Sequence, residues 1–327
     1  MLNIFYEEPD PDRWIKYDRY LRRLARRIIR GKSKPGGVML IALQLMKGLE
    51  KLNIPYRFND YKYAKNNPNE LIGVIGKPQL IFQKKFKNPI LFGAGIFSHP
   101  IECPDLFEKY PNVKKILVPG QWMQEMFEPY YQNKVLTWPV GIDTEKWSPE
   151  IKKNKKYDFL IYDKIRWKRD ELEHSLIQPI IKELEYLNLT YTIIKYGSYH
   201  PNQLIESLSE CSSAIFLCEH ETQGQAYQQI LSSNTPILAW DRGGYWEDPY
   251  YFPHKVKYAK VSSVPYWDDR CGIKFSDQKS FKSKLTEFLM LKHKETFYPR
   301  GYILENLSME HCAKNYEVIY NQVASEL

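Results

Sequence analysis

Two doubly wound α/β domains facing each other across a cleft are the architecture that this 327-residue sequence predicts. Three observations carry that expectation. Short apolar runs closed by Gly or Pro alternate with segments of helical spacing, the usual order in a doubly wound sheet. The alternation stops at a lysine-rich stretch, Ser148–Asp158, and then restarts. The length suffices for two domains, each with its own core.

In the first half, GGVMLIALQLMKGLEKLN has helical spacing behind a Lys-Pro-Gly-Gly turn, and IPYRFN follows as a strand. LIGVIG, PILFGAG and KKILVPG read as buried parallel strands. GQWMQEMFEPYY is a helix between KKILVPG and the strand KVLTWPV. Beyond the lysines come YDFLIY (strand), DELEHSLIQPIIKELEYL (helix, with Pro179 inside it), TYTIIKYG (strand), NQLIESLSEC (helix) and AIFLCE (strand). GQAYQQILSS (helix) and TPILAW (strand) follow, then the late helices KSFKSKLTEFLMLKH and ENLSMEHCAKNYEVIYNQVASEL. The domains are set at 1–150 and 151–327.

Composition excludes several classes. With 43% hydrophobic and 26% charged residues the chain is globular rather than disordered. No apolar run reaches the ~18–20 residues needed to span a bilayer. The five cysteines are scattered without a CxxC pair, which argues against a zinc site or disulfide framework and for a cytoplasmic setting. Between Arg13 and Lys32, seven arginines and two lysines face one acid, Asp18, so this segment alone matches the chain's net charge of +8. Trp14, Tyr17, Leu21, Leu24 and Ile28 recur at helical steps there. An amphipathic helix with a cationic face follows: a surface helix packed on its own domain, a peripheral membrane contact through residues 13–32, or, least favoured, a nucleic-acid contact.

The chemistry concentrates from Phe216 to Ile237, read as a strand, a turn carrying Glu221 and Gly224, a helix, and Thr235-Pro236. A carboxylate, glycine-backed amides and a positive helix end suit a polyhydroxylated, anionic ligand. After YDFLIY, the run DKIRWKRDE places Lys164, Arg166, Lys168 and Arg169 where a diphosphate could be clamped. Gly36 and Gly37 open the first long helix. His99 follows the strand PILFGAG, at a strand end where α/β sites form.

These segments resemble retaining family-4 glycosyltransferases of the GT-B fold, over nearly the whole chain from Gly36 to the final helix. Glu221 fits the first of two glutamates that the family separates by seven intervening residues, and Gln229 stands at the second. Pro139, Gly141, Ile142, Asp143, Trp147 and Pro149 match the run that closes the family's N-terminal domain, although Asp143 reads best as a turn cap. The resemblance implies transfer of a sugar from a nucleotide-diphosphate sugar to a glycan, lipid-linked or other hydroxyl acceptor, with retention and without a metal or other cofactor. It assigns Glu221, His99, Lys164 and Arg169 to the catalytic centre. It assigns Gly36, Gly37, Arg166, Lys168, Gly197, Gln223, Gly224, Gln225 and Gln229 to the donor. The last helix, about 303–327, is expected to cross back to the first domain. Gln229 departs from the family: it keeps an acceptor carbonyl but forgoes a charged hydrogen bond, worth about 1.5–3 kcal/mol against about 0.5–1.5 for a neutral one. A non-catalytic nucleotide- or glycan-binding relative is the alternative which that departure leaves open.

Overall fold

The computed structural model describes residues 1–8, 14–15, 18, 21–22, 25, 37–200 and 202–327. Most of the basic segment 13–32, with Gly36, lies outside them. The chain divides into two compact units. One comprises Met1–Pro119, Phe127–Val140 and Cys312–Leu327; the other comprises Gly120–Met126 and Gly141–His311.

The first unit is a six-stranded parallel sheet: β1 (Leu2–Phe5), β2 (Tyr56–Phe58), β3 (Ile72–Val74), β4 (Ile90–Gly93), β5 (Val113–Val118) and β6 (Val135–Thr137), in the order β2-β1-β3-β4-β5-β6. β1 is absent from the sequence reading. All four of its residues are buried, but the run is only four residues long and is interrupted by the polar Asn3, so it lacks the continuous apolar run that marks the other buried strands. The helix Gly37–Lys51 buries Ile41, Ala42, Leu45 and Leu49, a stripe at three- and four-residue steps. Ala313, Tyr316, Tyr320 and Val323 of the last helix belong to the same core. Trp138 fixes that helix by donating from Nε1 to the Cys312 carbonyl at 2.8 Å.

The second unit is a five-stranded parallel sheet: β7 (Tyr157–Asp163), β8 (Tyr191–Lys195), β9 (Cys211–Leu217), β10 (Ile237–Trp240) and β11 (Gly272–Phe275), ordered β11-β10-β9-β7-β8. Register pairs Asp163 with Leu217, and Leu217 with Trp240. The carboxyl ends of β7, β9 and β10 are therefore level, and their loops leave side by side. This is the edge at which open α/β sheets bind ligands.

Three local features differ from the sequence reading. The helix after β7 runs as an α-turn (Arg169–Leu172), a π-turn (Glu173–Ile177) and an α-helix (Gln178–Tyr186), because Pro179 has no N–H to give the preceding turn. The last helix, expected from about 303, starts at Met309 and runs to Ser325, and a separate short helix, Pro299–Asn306, precedes it across a break. At the break, Ile142 donates to the Leu307 carbonyl and accepts from Met309 N. Gly141 permits that approach, since a Cβ there would stand 2.5 Å from Met309 Cα.

The stretch Ser148–Asp158, expected as a linker, is fastened to the second unit. Lys152 Nζ donates to the carbonyls of Leu208 and Cys211 and to Thr235 Oγ1, at 2.8, 2.9 and 2.6 Å. Burial pushes this ammonium down to about 8, with Cys211 opposing and Lys292 reinforcing the shift. The folded chain thus releases the proton at a lower pH than the unfolded chain. Stability from this group rises above about pH 8 and levels off near the unfolded lysine value of about 10.4. Denaturant unfolding should show wild type gaining roughly 1–3 kcal/mol on Lys152→Met between about pH 7.5 and about pH 10. Equal pH responses in the two proteins would contradict this reading.

No described helix is long and apolar enough to cross a membrane. All five cysteines are buried and free.

Candidate functional site

The loops after β7 and β9 hold the densest group of buried charges among the described residues. Lys164 directly follows β7, and its backbone N–H donates to Leu217 O at 2.7 Å, which sets the chain's exit from the sheet. Its ammonium meets Glu221 Oε1 at 2.5 Å, with the two side chains only 13% and 8% exposed. The ammonium also lies 4.6 Å from the centre of the Tyr196 ring. Burial opposes this charge, but the Glu221 carboxylate outweighs it and holds Lys164 above its ordinary range.

Glu221 is fixed from its backbone as well. Its N–H donates to Ser262 O at 2.9 Å, and its carbonyl accepts from Trp122 Nε1 at 3.0 Å. The Trp122 carbonyl in turn accepts from Tyr258 OH at 2.7 Å. Behind Glu221, Gly224 has φ +71° and begins the helix Gln225–Ser232. A Cβ at Gly224 would lie 2.1 Å from the Tyr227 ring, so glycine is required there by both conformation and space.

Two neighbours in this loop were missed from the sequence. Glu219 is buried and accepts the backbone N–H groups of Arg166 and Trp167 at 2.7 and 2.8 Å, which ties the loop after β7 to the loop after β9. His220 stands between Glu219 and Glu221, among Trp122, Trp167 and Trp246 at ring-centroid distances of 5.8, 5.1 and 6.4 Å. Trp246 Nε1 donates to His220 Nε2 at 3.0 Å. Burial, with Arg166, Arg242 and Lys164 nearby, lowers the imidazole to about 2, so the ring is neutral. An indole N–H can only donate, so the proton sits on Nδ1. Nδ1 is buried with no hydrogen-bond partner among the described residues, a situation that costs roughly 1–3 kcal/mol.

The remaining expected residues fall as follows. Arg166 donates from Nη2 to the His220 carbonyl at 3.0 Å and from Nε to Glu219 at 3.5 Å, and a third of its side chain stays exposed. Lys168 pairs with Glu247 at 3.0 Å. Arg169, expected on a diphosphate, pairs with both oxygens of Asp163, at 2.7 and 2.5 Å, and with Glu173 at 2.6 Å. Its Nη1 meets both oxygens of the carboxylate that ends β7, and its Nη2 meets Glu173, so the guanidinium is shared between two acids by charge-assisted bonds. Gln223 and Gln228 are bonded to each other, Gln223 Nε2 donating to Gln228 Oε1 and Gln228 Nε2 to the Gln223 carbonyl. Gln225 and Gln229 lie half-buried on the helix that Gly224 begins. Gly197, at φ +82°, is exposed beyond β8 with open space around it.

In the first unit, Gly37 is the exposed first residue of its helix. His99 is buried and caps the short turn Pro100–Glu102, Nδ1 accepting from Ile101 N at 3.1 Å. Burial lowers its imidazole to about 4, against Glu102, so it too is neutral. Asp143, in the second unit, caps its turn by accepting from Lys146 N at 3.1 Å, as the sequence suggested.

No protein-family model and no curated protein matches this chain. Solved structures do match. TarM aligns with TM-score 0.55 and 14% identity, over 86% of this chain and 58% of TarM. A mutant TarM from S. aureus, in complex with fondaparinux, alpha-GlcNAc-glycerol and UDP, aligns with TM-score 0.54 and 15% identity, over 86% of this chain and 59% of its own. The catalytic domain of Starch Synthase IV from Arabidopsis thaliana, bound to ADP and acarbose, aligns with TM-score 0.52 and 10% identity, over 90% and 80% of the two chains. The chain thus spans about three fifths of the TarM chains it matches. With two parallel-sheet α/β units and these neighbours, it has the two-Rossmann-like GT-B fold.

Proposed function

We propose that this chain is a glycosyltransferase that moves a sugar from a nucleotide-diphosphate donor to a glycan or other hydroxyl acceptor. The buried Lys164–Glu221 pair, at the level carboxyl ends of β7 and β9, is the observation that carries the reading. A cation and a carboxylate held in contact there can address the two ends of a sugar diphosphate. Lys164, with the partly exposed Arg166, would neutralise the leaving diphosphate, and Glu221 would bind sugar hydroxyls. TarM in complex with UDP and starch synthase with ADP share this fold, and both ligands are nucleoside diphosphates. Retention of configuration is proposed from the family-4 pattern around Glu221 and Gln229. Arg169 enters as the anchor of the loop carrying Lys164 and Arg166.

A thermal-shift screen against sugar nucleotides tests the reading, because ligand binding raises stability in proportion to RT ln(1 + [L]/Kd). At least one donor is expected to raise the melting temperature and to be turned over. Glu221→Ala should cut transfer about 100-fold or more while changing affinity for the free nucleoside diphosphate only slightly. No shift with any donor, or equal loss of binding and transfer, would count against it. A salt-sensitive affinity for nucleic acid in place of donor binding would redirect the reading to the basic segment.

A further inference from the structure

The loop 219–221 is held by hydrogen bonds that come from the segment between β10 and β11, which also brings Arg242 near His220. After β10 the chain runs through Trp246, Tyr251 and Tyr258 to Ser262 before β11 begins. Trp246 is buried, with its backbone N–H on Tyr258 O at 2.8 Å and its ring stacked on Tyr251 at 4.8 Å. Its indole N–H reaches His220 Nε2. Ser262 O accepts the Glu221 N–H, and Trp122, whose own carbonyl accepts from Tyr258 OH, donates from Nε1 to the Glu221 carbonyl. Every polar restraint on the Glu221 main chain named above thus leads back to this aromatic segment.

We propose that His220 and Trp246 are positioning residues, a latch through which the segment between β10 and β11 sets the Glu221 carboxylate against Lys164. The inference rests on the transferase reading above. Two facts separate a latch from simple packing. A ring kept only to fill space would be better served by phenylalanine, which has no buried N–H to leave unsatisfied as His220 Nδ1 is. The one ring nitrogen that is satisfied takes the bond from Trp246, with Arg166 Nη2 a further 3.4 Å contact. An acceptor at Nε2, rather than an aromatic ring, is therefore what this position supplies.

The test is a rank order. Glutamine places an amide oxygen near the position of Nε2, whereas phenylalanine keeps the ring and loses the acceptor. His220→Phe is expected to lower the rate at saturating donor at least about tenfold below His220→Gln, with the affinity for free UDP or ADP within about threefold in both. Packing alone predicts the opposite order. Crystal structures of the two variants provide a second readout: the Lys164–Glu221 contact should survive in the glutamine variant and open in the phenylalanine one. That geometry does not depend on the reaction. A wild-type chain that transfers no sugar would end the transferase reading and leave the latch to be judged on the contact. A phenylalanine variant with both the rate and the contact of wild type overturns the proposal.

Discussion

Lys164→Ala is expected to abolish sugar transfer and to destabilise the second unit by about 3–5 kcal/mol, because it strands a buried carboxylate. Glu221 Oε1 takes its only side-chain hydrogen bond among the described residues from Lys164, and the carboxylate is 8% exposed. For a unit of this size the loss corresponds to a fall in melting temperature on the order of 10 °C. The double variant Lys164→Met, Glu221→Met should recover most of that stability, since replacing a buried ion pair by apolar groups of similar volume is often neutral or better. It should recover none of the activity. Differential scanning calorimetry and initial rates on the three proteins would decide. A single variant as stable as wild type would mean that water or a neighbouring group screens Glu221. A double variant that transfers sugar would remove both residues from the reaction.

Where the chain was legible, one physical signal was enough. The apolar runs 159–162 within β7 and 214–217 within β9 mark strands, because both faces of a central parallel strand are buried. Gly224 was read as a turn into a helix, and its φ of +71° is the reason a glycine stands there. At the run DKIRWKRDE two signals compete. Its cations suggest a phosphate clamp, yet the run opens on Asp163, a carboxylate that draws on the same cations. It binds Arg169 with both oxygens. Glu219 and His220 do not stand out in the sequence because spacing singles out Glu221 alone. What could have found them is the alternation Glu-His-Glu straight after a buried strand, since charged groups in such a place need partners. Their partners, Trp167 N and Trp246 Nε1, lie 52 and 26 residues away along the chain, beyond what local pattern can reach.

Arg169→Ala is the second change with a large expected effect, and it separates an anchor from a clamp. Asp163 ends β7 with 3% of its surface exposed, and Arg169 covers both of its oxygens. The same guanidinium holds Glu173, whose other oxygen accepts from Gln178 Nε2 at 2.8 Å. Removing Arg169 strands Asp163 and should destabilise the unit by about 3–5 kcal/mol. Nucleotide affinity should fall as well, since the loop between them carries Lys164 and Arg166. Adding Asp163→Asn removes the stranded charge while keeping an oxygen for Ile165 N, which Asp163 Oδ1 accepts at 3.2 Å. If Arg169 is an anchor, the double variant regains most of both stability and nucleoside-diphosphate affinity. If its guanidinium grips phosphate directly, stability returns and affinity stays at least about tenfold down, the loss expected from one charge-assisted contact of about 1.5–3 kcal/mol. Calorimetric titration with UDP and ADP distinguishes the two outcomes, and the three carboxylate oxygens already on Arg169 favour the anchor.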